Sequence, residues 1–158
     1  MKTLKQWLDE YSESHLNPVN KTLHWVCIPA IVFSIWCALK AIPLGNDLMN
    51  PAIVVSLLAL SYYARLSWQL ALGALLGFCI MYAGVVLLQT IAGTHLLAVA
   101  AAVFVVAWIG QFIGHHVEGA KPSFFKDLQF LLIGPLWLLA DLYRRLGIPM
   151  GKAAPVTL

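Results

Sequence analysis

The sequence is poor in charge. Of its 158 residues only 11% are charged, whereas 61% are hydrophobic and the mean hydropathy is +0.81. A soluble domain carries about a quarter of its residues as charges. A chain with so few cannot cover a surface that faces water, and lipid is the solvent that suits it. Cysteine is scarce as well: Cys27, Cys37 and Cys79 all lie inside apolar runs. Their spacing matches neither a zinc motif nor a disulfide framework, so they read as small buried hydrophobes. No basic stripe interleaves with aromatic residues, which argues against nucleic acid as a partner. The first residues do not read as a secretory signal, because Asp9, Glu10 and Glu13 stand where its apolar core would be.

What the chain does have is long apolar runs. His24–Ile42, Pro51–Leu66, Trp68–Thr90 and His95–His115 meet or approach the length of about 20 helical residues that a bilayer core requires. The predicted fold is all-α: one integral-membrane domain over 1–158, with four transmembrane helices in 24–115. An amphipathic helix and a histidine motif occupy 1–23, and a cytoplasmic motif, a C-terminal helix and a tail occupy 116–158. In the first helix Leu4, Trp7, Leu8 and Tyr11 recur at helical spacing, and Trp7 and Tyr11 suit a membrane interface. A fifth stretch, LQFLLIGPLWLLADLY, is interrupted by Gly134-Pro135 and holds Asp141 near its end. It predicts a re-entrant or interfacial helix rather than a span.

The basic residues agree with four spans. With the N-terminus inside, Lys2, Lys5, Lys21, Arg65, Lys121, Lys126, Arg144, Arg145 and Lys152 fall on the inner face, nine of the ten, and only Lys40 falls outside. A fifth span would move Arg144, Arg145 and Lys152 outward and leave six against four. The inner face is therefore read as cytoplasmic, in a bacterial inner membrane or, in a eukaryote, the endoplasmic reticulum.

This topology gathers histidines. His15 and His24 flank an Asn-Pro-Val-Asn turn at the cytoplasmic end of the first span, and His115 and His116 close the fourth span at the same face. His95 lies twenty residues before His115, about 30 Å away along a helix, and is excluded. A lone interfacial histidine is more often a hydrogen-bonded neighbour of lipid headgroups than a ligand. Adjacent side chains on a helix diverge by about 100°, so His115 and His116 cannot both face one point. Glu118 shares the face of His115 if the helix continues that far, and Gln111 on the same face is placed to orient an imidazole. Glu118 alone also reads as a surface carboxylate paired with Lys121. Imidazoles and a carboxylate converging at a hydrocarbon boundary are costly to desolvate without a metal or mutual pairing. The candidate ligands are thus His15, His24, His115 and Glu118, with His116 less secure. Imidazole and carboxylate suit iron, zinc, manganese or copper, and composition does not choose among them. Haem held by two histidines usually lies deeper in a bundle and ranks lower.

HLNPVNKTLHWVCIP and WIGQFIGHHVEGAKPSFFKDLQFLLIGPLWLL resemble the small membrane family of 2-hydroxy fatty acid dioxygenases, which comprises fungal enzymes of fatty-acid α-oxidation and many bacterial relatives. The resemblance covers both ends of the four-span core. It places His15, Pro18, Asn20, His24 and Pro29 on the first motif and Gln111, Gly114, His115, Glu118 and Pro122 on the second. Cys27 departs from an expected glycine, and Glu118 follows His115 by three residues where the fungal pattern has four. The family implies Fe2+, dioxygen and a long-chain 2-hydroxy fatty acid that leaves one carbon shorter. Carboxylate and 2-hydroxyl would chelate the metal, with His15, His24, His115 and Glu118 as the catalytic set. Asn20 and Gln111 would support the ligands. Lys21 and Lys121 are candidates to attract the substrate carboxylate, or are simply positive-inside lysines, and Asn17 is expected to cap a turn. The rival readings are a zinc-dependent membrane lipid hydrolase and a non-enzymatic transporter or lipid- or haem-binding bundle. Between Pro51 and Val105 only Arg65 is charged, so no midplane ionisable group marks a transport path.

Overall fold

The helix starts are written in short polar signals. Thr3 and Gln6 form a capping box at the head of the first helix, with Thr3 N–H donating to Gln6 Oε1 at 2.8 Å. Asn17 and Asn50 each cap a helix whose first residue is proline, Pro18 and Pro51. Ser67 is at once the end of one helix and the N-cap of the next. In the computed structural model, which describes residues 2–46, 48–119 and 124–150, these signals delimit six α-helices. They are α1 (Leu4–Ser12), α2 (Pro18–Lys40), α3 (Pro51–Leu66), α4 (Trp68–Ala92), α5 (Leu96–Glu118) and α6 (Phe124–Leu146). No strand forms among the described residues.

Two boundaries differ from those read in the sequence. The Asn-Pro-Val-Asn segment is the first turn of α2 rather than a turn before it, because proline at N1 starts a helix without sacrificing a bond. Asn17 caps it as expected, its side chain accepting from Val19 N–H at 2.9 Å. His24 consequently lies inside α2. Helix α5 also runs on through Glu118, ending at Gly119 with φ +72°. Between α4 and α5 a single 3₁₀ turn, Gly93–His95, reverses the chain, with Gly93 at φ +53°.

Helices α2 to α5 alternate in direction. Asn50 at the start of α3 donates to the Tyr82 hydroxyl far along α4 at 2.8 Å, so α3 and α4 are antiparallel. Trp25 and Val32 of α2 share a cavity with Gly73 and Met81 of α4, which makes those two parallel. The most extensive contact is between α2 and α5. It depends on missing side chains: a Cβ on Gly110 would lie 2.5 Å from Cys27 Sγ, and one on Gly114 would lie 2.4 Å from Asn20 Oδ1. The Gly-x-x-x-Gly spacing puts both notches on one face of α5, the arrangement that lets apolar helices approach closely. Cys27 fills the notch at Gly110.

Helix α6 is continuous through Gly134 and Pro135, which corrects the expected interruption. Proline removes the bond to the Leu131 carbonyl, but packing on both sides holds the helix. Gly134 lies against Ile28 and the Tyr11 hydroxyl, and the Tyr63 hydroxyl donates to the Leu132 carbonyl at 2.6 Å. Ile133, Leu136, Trp137 and Ala140 bury against Leu4, Leu8 and Tyr11 of α1. Asp141, only 4% exposed, accepts from Arg144 at 2.5 Å and Arg145 at 2.8 Å. The charge that argues against a span is thus neutralised within α6 itself.

Among the described residues two stretches are long and apolar enough to cross a membrane: Pro18–Lys40, and the 51 residues Trp68–Glu118 that comprise α4, the turn and α5. Helix α3 is apolar but shorter, at 16 residues. Outward-facing Leu57, Leu58, Leu76, Ile80, Leu87, Val106 and Ile109 are all exposed, far more apolar surface than an aqueous monomer tolerates.

The glycine notches yield a paired prediction. Gly114→Ala should destabilise the bundle by about 1–3 kcal/mol, the usual cost of overpacking. Gly77→Ala, where an added Cβ meets nothing within 4 Å, should be neutral or gain up to about 1 kcal/mol in helix propensity. Thermal unfolding in detergent, followed by far-UV dichroism, reads both.

Candidate metal centre

Three chain segments deliver one imidazole each. His24 comes from the second turn of α2, and its Nδ1–H donates to the Asn20 carbonyl at 2.9 Å. His15 comes from the linker between α1 and α2. Its Nδ1 is 2.5 Å from the Tyr11 carbonyl, and its ring stacks on that of Tyr11 at 4.2 Å and 4°. His115 comes from the last turn of α5, with its ring 5.5 Å from His15 and 5.2 Å from His24. All three are buried, and one ligand atom from each lies within 4.8 Å of the others.

The hydrogen bonds of His15 and His24 determine what these rings can do. A carbonyl accepts only, so Nδ1 of both rings carries the proton and both Nε2 atoms present lone pairs. Those two Nε2 atoms face each other at 2.9 Å. Two lone pairs at that distance repel unless a cation or a shared proton lies between them. The proton is disfavoured: burial pushes His15 down to about 4, against the opposing pull of its bond to the Tyr11 carbonyl. A metal ion held by both Nε2 atoms would relieve that repulsion. The donor set therefore fits a divalent transition metal, and three nitrogens leave coordination positions for other ligands.

Glu118 does not join this cluster. Its carboxylate accepts from Leu16 N–H at 2.8 Å, Asn17 N–H at 2.9 Å and Asn20 Nδ2 at 2.9 Å. In this arrangement the carboxylate, expected as a ligand, ties the linker bearing His15, and the head of α2, to the end of α5. His116 points outward and is exposed, as helix phase requires. Asn20 acts through its backbone carbonyl on His24 and through its side chain on Glu118. Gln111 shares the face of His115 but does not orient His15 or His24, since carbonyls already hold their Nδ1 atoms. Lys21 is half-buried and does not line the cavity beside the histidines. Lys121 and Pro122 lie outside the described residues. His95 is exposed at the far end of α5.

That cavity holds about 40 Å³ and is walled by the three histidines, Trp108, Gln111 and apolar side chains including Ile28, Ile31 and Phe130. Its space suits a few atoms beside the metal position. Ile28 also borders a second cavity of about 190 Å³ between α2, α4 and α6, whose lining is almost wholly apolar. Trp108 was invisible as a site residue in the sequence. Its spacing of three before Gln111 and seven before His115 is a helical face, but in a long apolar run that periodicity reads equally as packing.

Fold and site together define a helical bundle of strongly apolar surface with a buried three-histidine centre at one end. The chain matches the model of the family described as 2-hydroxy-palmitic acid dioxygenase Mpo1-like over residues 1–146, and it belongs to that family. It is 29% identical to the 2-hydroxy-palmitic acid dioxygenase of Saccharomyces cerevisiae, across 95% of this chain and 86% of the yeast protein. No solved structure matches it.

Metal retention should divide the polar residues. His15→Ala, His24→Ala and His115→Ala should each abolish stoichiometric metal binding, whereas His95→Ala and His116→Ala should leave it intact. Glu118→Gln, acting through the linker, should weaken affinity by about 10–100-fold rather than abolish it. Elemental analysis after equilibrium dialysis against graded chelator checks the series. Equal loss in His116→Ala and His115→Ala would contradict the assigned helix phase.

Proposed function

We propose that the protein is an iron-dependent dioxygenase that converts long-chain 2-hydroxy fatty acids and O2 into fatty acids one carbon shorter. The observation that carries this reading is the pair of neutral imidazoles whose Nε2 lone pairs face each other at 2.9 Å beside an apolar cavity. Membership of the 2-hydroxy-palmitic acid dioxygenase family supports the reaction class. Ferrous iron, when bound, would chelate hydroxyl and carboxylate and activate O2. The electrons that reduce O2 come from the 2-hydroxy acid itself, whose carboxyl carbon leaves as CO2 together with one water.

The chain contributes the rest. The Tyr11 and Asn20 carbonyls keep a proton on Nδ1 of His15 and His24, which directs Nε2 inward. Glu118 holds the linker so that His15 stays in place. Ile28, Ile31, Phe130 and Leu131 exclude bulk water, and the apolar space beyond Ile28 suits the alkyl chain. We place the four helices α2 to α5 across the membrane with the histidine centre at the cytoplasmic face. The distribution of basic residues and the apolar outer faces support that placement. The same donor set would serve a hydrolytic zinc, so oxygen dependence is the discriminating observable.

Ferrous-reconstituted protein in detergent should shorten 2-hydroxypalmitate by one carbon in air and not under argon, as read by mass analysis. Palmitate, lacking the chelating hydroxyl, should scarcely react. Lactate has the head group without the chain, and forfeits about 0.8 kcal/mol for each methylene not buried. Oxygen-independent turnover with zinc would transfer the site to the hydrolase class.

Topology has its own test. Single cysteines at Glu13 and Leu48, both exposed, should label from opposite sides of sealed vesicles. Labelling from one side would remove the four-span arrangement.

A further inference from the structure

Two buried hydrogen-bond donors beside the histidines have no partner among the described residues: Trp108 Nε1 and Gln111 Nε2. Gln111 is only 6% exposed. Both side chains line the 40 Å³ cavity together with His15, His24 and His115. On α5 the positions 108, 111 and 115 form one stripe, so the two donors and the third imidazole look into the same space from one rigid helix. Among the described residues no carboxylate and no lysine or arginine lines that cavity. Glu118 is committed to the linker and Asp141 to Arg144 and Arg145. Buried N–H groups are seldom left unmade, because each carries the full cost of desolvation. Two of them converging beside a metal-binding centre therefore point to an acceptor that arrives with a ligand.

We infer that Trp108 and Gln111 form the subsite for the substrate's carboxylate, a pair of neutral N–H donors that receive one of its oxygens. The inference rests on the 2-hydroxy acid reading of the same site. A carboxylate is the acceptor favoured here because hydrogen bonds to a charged oxygen are about twice as strong as neutral ones. It is also the group such a substrate must bring to the histidines. The role sought in the sequence for Lys21 thus passes to neutral groups on α5. A bidentate acid would be fixed from two sides, by the metal and by the donors, and its alkyl chain would be turned away from them towards the apolar wall at Ile28.

The test uses the full-length protein loaded with zinc, which cannot turn the substrate over by a redox route and is diamagnetic. Binding of 2-hydroxypalmitate is compared with that of 1,2-hexadecanediol, which keeps the chain and the hydroxyl but lacks the carboxylate. Trp108→Phe and Gln111→Met preserve bulk and remove the donor. Each should weaken the acid roughly tenfold or more, the ordinary worth of a charged hydrogen bond, and leave the diol and the metal content as in the wild type. In wild-type protein carrying 15N-indole tryptophan, one indole N–H resonance should move downfield with the acid and not with the diol. That measurement does not depend on a variant folding. Unchanged acid affinity, equal loss for acid and diol, or no indole shift would overturn the subsite. Oxygen-dependent turnover by the iron-loaded wild type is measured in parallel. Turnover with no effect of the variants sinks this inference alone, whereas acid-selective loss without turnover sinks the dioxygenase reading and leaves the subsite standing.

Discussion

The separation of α2 and α5 is set by two atoms that are absent, the β-carbons of Gly110 and Gly114. With them missing, Cys27 and Asn20 seat directly on the α5 backbone. This contact lies within one helical turn of His24 on one side and next to His115 on the other. Two imidazoles nearly a hundred residues apart in sequence then face one space. Neither helix has a strongly one-sided apolar face, so amphipathicity cannot set their register. Shape does it instead, as is usual where the surroundings are as apolar as the helix contact itself.

The third imidazole depends on a different force. His15 sits on a linker with no helix of its own, and a linker near an apolar boundary must find partners for its amides. Glu118 meets that need at the amides of Leu16 and Asn17, and Asn20 shares the same carboxylate. The carboxylate lies at the C-terminal end of α5, where the helix dipole disfavours negative charge. Three charge-assisted donors from the linker and α2 offset that. Placing the charge there also keeps it on the linker side of the three imidazoles. Trp137 of α6 completes the support by donating to Ser12 Oγ at 2.9 Å, just ahead of the linker.

Much of the helix order was legible in the sequence, and the reason is that hydropathy reports on where long apolar helices run. The apolar runs themselves placed α3 and α4 almost to the residue, and the alternation of direction brought His15, His24 and His115 to one end. Helix phase set His115 apart from His116. The role of Glu118 was not legible, because a carboxylate one turn after a histidine has the same spacing whether it binds a metal or a backbone. Only the position of the linker amides separates the two. The continuity of α6 through Pro135 was hidden for a similar reason: the partners that compensate the proline, Tyr63 and Tyr11, belong to distant helices. The small residues of α5 looked like ordinary components of an apolar run until Asn20 and Cys27 were found against them.

A metal ion bound as proposed would link three separate elements of the chain. His24 and His115 belong to the apolar bundle, while His15 belongs to the α1 linker, which packs with α6 over the same end. Closing a loop of about a hundred residues costs only a little more entropy than closing a short one. What the site must overcome is chiefly the repulsion of lone pairs already brought together by packing. An ion that relieves this repulsion binds the assembled arrangement and not the separated one, so its binding free energy favours the folded contact between the α1 linker, α2 and α5. On the proposed reading the centre would also serve as a fastening between these elements. The carboxylate of Glu118, by fixing the linker that carries His15, would support that fastening from outside the three imidazoles.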